Sequence, residues 1–141
     1  MPLKHPAMLR DEIESDGRKR FTLEEANRAL PLVQRVARDV VETYRRIVEL
    51  RRELEEDGAR DLAEAEADYE RQMDRLSDLV DELHLVGVEL RDFEAGTIDF
   101  PAWHGDHEVL LTWRYGDERV TCWHEHDDAF DSRRPLSDLA A

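Results

Sequence analysis

The chain has 141 residues, a formal net charge of −15, and a charged fraction of 39% against an apolar fraction of 40%. That length fits one domain, and the charge repels phosphate, which argues against nucleic acid and anionic membrane faces as partners. A single cysteine excludes an internal disulfide, and no apolar run approaches the roughly 20 residues that span a bilayer.

Residues 1–20 carry Pro2, Pro6 and Gly17 and show no hydrophobic period, so they read as a mobile tail. They lack the apolar stretch of a signal peptide, and a soluble cytoplasmic protein is the expectation. A single α+β domain is expected over 21–136, with a short tail at 137–141.

Thr22-Leu23-Glu24-Glu25 has the pattern of a capping box, in which the Thr22 hydroxyl and the Glu25 carboxylate each take the other's backbone N–H. Phe21 precedes it at the hydrophobic-staple position. From there Leu23, Ala26, Leu30, Val33, Ala37, Val40, Tyr44 and Ile47 recur in steps of three and four, with Arg51 as a polar break before Leu54. This spacing predicts a long helix over about 22–57, packed against another helix. Pro31 removes one backbone donor and is expected to bend it. Asp57-Gly58 offers a helix stop.

A second stripe, Leu62, Ala65, Tyr69, Met73, Leu76, Val80 and Leu83, predicts a helix over about 61–86. The short connection makes the pair an antiparallel hairpin. Acidic residues from Glu64 to Asp81 on its outer side read as a solvated face.

At Gly87 the rhythm changes from three-four to every other residue. Val88–Arg91, Ile98–Phe100, Glu108–Tyr115 and Arg119–His124 alternate and are rich in β-branched and aromatic residues. Turn chemistry separates them at 94–97, 104–107 and 116–118. The prediction is an antiparallel meander of three or four strands over about 88–125. Its face of Val109, Leu111, Trp113 and Tyr115 should lie on the helices, and 131–141 should be irregular.

Residues 99–126 hold four of the six histidines, all three tryptophans and the cysteine. In Cys122-Trp123-His124-Glu125-His126, alternation puts Cys122, His124 and His126 on one side of a strand. A thiol and two imidazoles suit Zn²⁺ or Fe, although a spacing of ~7 Å asks for a bend in the strand. The competing reading is a buried thiol, a hydrogen-bonded His124 and a solvated His126. His104 and His107 flank a Gly-Asp turn and read as solvated. Glu82, His84 and Glu89 lack the paired Glu-x-x-His pattern of bundle metal sites.

Asp99 should face away from the core, and Glu118 sits in the turn that brings Trp113 and Trp123 together. With His124, Glu125 and Arg134 they could line a shallow polar pocket with aromatic walls. Alternatively, Asp99 and Glu118 fix strand ends and Arg134 pairs with one of them. No phosphate loop, nucleophile elbow or nucleophile–base pair is present.

Several motifs carry a resemblance: Phe21-Thr22-Leu23-Glu24-Glu25-Ala26-Asn27 with Leu30-Pro31, Gly87-Val88-Glu89-Leu90-Arg91-Asp92, Gly96-Thr97-Ile98-Asp99-Phe100-Pro101-Ala102, Leu111-Thr112-Trp113, Trp123-His124-Glu125 and Arg134-Pro135-Leu136. In these the chain resembles the bacterial family called domain of unknown function 2203. The resemblance covers roughly 21–136 and implies no activity. Thr112 stands where the family pattern has a cysteine, which weakens a thiol-based role. A family glycine is replaced near Asp128-Ala129-Phe130.

The sequence thus points to a binding or assembly module rather than a catalyst, dimeric through its helices. Its candidate ligand residues are Asp99, Trp113, Glu118, Trp123, Glu125 and Arg134. The alternative is a metal-dependent protein with a divalent ion such as Zn or Fe on His124, Cys122 and His126.

Overall fold

A computed structural model describes residues 19–56, 61–126 and 134–136. Residues 1–18 of the tail expected at 1–20, the tail expected at 137–141, the Asp57-Gly58 stop and the replaced glycine near Asp128 lie outside the described residues.

Helix α1 spans Leu23–Glu55. It starts at the capping box: Glu25 N donates to Thr22 Oγ1 at 3.0 Å and Thr22 N to Glu25 Oε1 at 2.9 Å. The backbone bond from Thr22 lowers the Glu25 carboxyl below its ordinary range. Phe21, just before the cap, meets Phe100 edge-on at 5.2 Å, and its N–H donates to Pro101 O at 2.7 Å. The helix entrance is therefore fastened to the sheet. α1 continues through Pro31, which is exposed.

Helix α2 spans Leu62–Val86. Asp61 caps its start, accepting from Ala63 N at 3.0 Å. At its end Gly87 takes φ 103, a left-handed conformation that a side chain resists. There Gly87 N donates to His84 O and Val88 N to Leu83 O, the two bonds of a Schellman ending. The helices are joined by Arg46 Nη2–Asp68 Oδ2 at 2.9 Å and by apolar packing. Bonds from Gln72 and Arg46 hold the Asp68 carboxyl below its ordinary range, and the Asp68 bond raises Arg46.

Strands β1 (Glu89–Asp92), β2 (Thr97–His104), β3 (His107–Arg114), β4 (Cys122–His124) and β5 (Arg134–Pro135) form one sheet in chain order, every pair antiparallel. The sheet has five strands rather than three or four. The additional one is the two-residue β5, in a segment read as irregular because of Pro135. Proline is tolerated there because the strand lies at the sheet edge, and Trp123 Nε1 donates to Pro135 O at 3.1 Å. The β2–β3 turn is also tighter than its sequence suggested: His104 and His107 are paired strand residues, and Gly105, at φ 68, makes the reversal with Asp106.

Alternation on β2, β3 and β4 sorts the sheet into two faces. Ile98, Phe100, Ala102, Val109, Leu111, Trp113 and Trp123 form one core with Ala26, Leu30, Val33, Ala37, Val40 and Ile47 of α1 and Leu76, Leu79 and Leu83 of α2. Each large apolar side chain so buried contributes about 1.5–3 kcal/mol. Tyr115, expected on this face, is 41% exposed because β3 ends at Arg114, one residue before it. Two further ties close the unit. Asn27 Oδ1 on α1 accepts from Val120 N at 2.9 Å. In the β1–β2 turn, Phe93 stacks on Tyr44 at 5.6 Å.

Gly96 in that turn has φ 70, and a Cβ there would lie 2.8 Å from Val41 Cγ2 and 2.9 Å from Tyr115 Cβ. Gly105 has a similar φ and nothing within 4 Å. Gly96→Ala should therefore cost about 2–4 kcal/mol in urea unfolding, from backbone strain plus overpacking, and Gly105→Ala only about 1 kcal/mol. Equal losses would refute the tight fit of the turn against α1.

Candidate functional site

The face of the sheet turned away from the core carries Asp99, Thr112 and Cys122 in one row, and Pro101, Leu110 and His124 in the next. Three of its polar residues are nearly water-free: Asp99 is 3% exposed, Thr112 1% and His124 1%. A buried carboxylate needs donors, and Asp99 has two in Arg91 and Thr112, with a third from His124 when that ring is protonated. Its Oδ2 accepts from Arg91 Nε at 2.7 Å, and its Oδ1 accepts from Thr112 Oγ1 at 3.2 Å and lies 3.2 Å from His124 Nε2.

Arg91 comes from β1, where the register with β2 shifts between Leu90 and Asp92. Its Nη2 lies 3.0 Å from His124 Nε2. On the other side of the ring, His124 Nδ1 lies 2.9 Å from Glu125 O. A carbonyl only accepts, so Nδ1 carries the hydrogen; a guanidinium only donates, so the neutral ring accepts at Nε2 from Arg91. In the imidazolium form Nε2–H points to Asp99 instead. Both ring nitrogens are occupied either way, and the assembly clamps β1, β2, β3 and β4 together.

A second arginine–carboxylate–histidine chain lies beside it. Glu108 on β3 pairs with Arg20, and its Oε1 lies 2.5 Å from His126 Nε2. Arg20 also lies over the Trp103 ring at 4.8 Å.

The remaining sequence candidates are spread out. Trp113 is fully buried on the helix side and donates from Nε1 to Asp117 O at 2.9 Å. Trp123 shares that side, and Arg134 lies over its ring at 5.0 Å. The two indoles thus stand on the face opposite Asp99 and His124, with their N–H groups already bonded. Glu125 lies 2.5 Å from His107 Nε2 and 3.7 Å from Arg134 Nη1. Arg134 therefore pairs with Glu125 rather than with Asp99 or Glu118, because β5 sets it opposite Trp123 on β4. Glu118 is exposed in the connection after β3. Cys122 is half-buried, with Sγ 3.9 Å from Thr112 O. Among the described residues, no group of three or more His, Cys, Asp or Glu is placed to hold a metal ion.

Residues 19–136 match the family model described as an uncharacterized conserved protein, DUF2203. The chain belongs to the DUF2203 family. No curated protein and no solved structure matches it. The family match covers both helices and all five strands, so the clamp lies within the DUF2203 unit. Among the described residues, no helix is long and apolar enough to cross a membrane.

Sequence reasoning flagged Asp99, His124 and His126 but missed Arg91 as the partner of the first two and Glu108, held by Arg20, as the partner of the third. Alternation gave the face of Asp99. The irregularity in β1 at Arg91 has no sequence marker.

Asp99→Asn keeps the shape but removes the charge that Arg91 faces. It should cost about 2–4 kcal/mol in urea unfolding. ¹⁵N resonances of neutral His124 should report the Nδ1–H tautomer. An Nε2–H tautomer, or an Asp99→Asn variant as stable as the natural chain, would contradict the clamp.

Proposed function

We propose that this protein is an assembly module, not a catalyst, which pairs with a second copy of itself through α2. The observation that carries this is an apolar row left open beside the core. Ala65, Leu76, Leu79 and Leu83 of α2 are buried, whereas Leu62 and Met73 are 52% and 42% exposed, with Tyr69 and Val80 half-buried between and beyond them. At 100° per residue these four lie on one stripe, less than a quarter of a turn from the buried one. A helix of 25 residues is about 37 Å long, enough for a two-helix seam.

The sheet serves this unit as a rigid cap. The clamp supports that role, because its buried polar groups are bonded to one another rather than held open for a reaction. Arg91 is the member of the clamp that reaches the surface, with its side chain 27% exposed, whereas Asp99 and His124 are buried. We place the module in the cytoplasm, which suits a single unpaired thiol.

Light scattering should report a dimer with a dissociation constant on the order of 10 μM. Each copy carries −15, so salt should strengthen the pairing by screening self-repulsion. Met73→Glu should give monomers with unchanged helical circular dichroism. Leu85→Glu should leave the dimer intact, since Leu85, 88% exposed, projects from another side of α2. A monomer at 200 μM in high salt, or a dimer indifferent to Met73→Glu, would overturn the reading.

A further inference from the structure

We propose that the two copies pair antiparallel along α2, with their two-fold axis passing midway between Met73 and Ser77. This rests on the α2 reading above and adds its orientation and register. The row that includes Leu62 and Met73 also carries two exposed polar groups, Glu66 and His84, one near each end. They are equally far in sequence from the midpoint of Met73 and Ser77.

A self-pairing interface must be complementary to itself. In an antiparallel pair centred on that midpoint, Glu66 meets the partner's His84, and His84 meets the partner's Glu66. An imidazole N–H donates to a carboxylate in either protonation state of the ring, so both contacts are favourable. Met73 then lies against the partner's Ser77, a large side chain over a small one. A parallel pair would set Glu66 against the partner's Glu66, two like charges on a surface already strongly negative. Charge complementarity therefore selects the antiparallel arrangement.

A charge exchange tests the register. Glu66→Lys alone should weaken the dimer about tenfold, even though it lowers the net negative charge. His84→Glu alone should weaken it at least as much. The double variant E66K/H84E should restore the natural dissociation constant to within about threefold, because each lysine then faces the partner's new glutamate. A double variant as weak as the two single losses combined would overturn the antiparallel register while leaving the α2 dimer standing. A natural chain that stays monomeric would instead remove the reading beneath it. Circular dichroism of each variant separates a lost contact from a lost helix.

Discussion

The burial of one sheet face against the helical hairpin is the constraint on which the other features depend. Neither part is self-sufficient. A five-strand sheet with strands of two to eight residues has little apolar area of its own, and a two-helix hairpin leaves half of each stripe open. Ile98, Phe100, Leu111 and Trp113 supply what the Val33–Ala37–Val40 stretch of α1 lacks, and all of these are nearly or fully buried. Phe21 and Asn27 then pin the start of α1 to Pro101 and Val120, so the hairpin and the sheet keep one relative position.

With one face committed, alternation delivers Asp99, Thr112 and His124 to the other. There the physics differs. Apolar contact needs no orientation, but a buried carboxylate requires donors at fixed places. Arg91 and Thr112 provide them, and His124 closes the group by using Glu125 O on its far side. The result ties strands from 91 to 124 by directional bonds and leaves neither imidazole nitrogen free. Chemically suggestive residue types can therefore be spent on holding a sheet together.

Much of the architecture was legible in the sequence because it rests on periodicity and local chemistry. The capping box at Thr22, the two stripes of spacing three and four, the stop at Gly87 and the alternation in β3 are each set by nearby residues. What escaped depends on distant partners. β5 has two residues and a proline, and exists as a strand because Trp123 holds Pro135. β2 runs on through Pro101, although proline usually argues against a strand; the Pro101 carbonyl instead accepts from Phe21. The site was legible residue by residue but not as a set. Trp113 and Trp123 drew attention as aromatic side chains, yet both serve the core. Arg91, which completes the clamp, stands in an ordinary Leu-Arg-Asp stretch whose register shift against β2 no local pattern announces.

Native-state hydrogen exchange tests most directly whether hairpin and sheet are one unit. Amides of Val36–Val40 in α1 and of Leu111–Trp113 in β3 should exchange with the same opening free energy and the same dependence on denaturant, equal to those of global unfolding. Sheet amides that open several kcal/mol below those of α1, with a smaller denaturant dependence, would contradict the account.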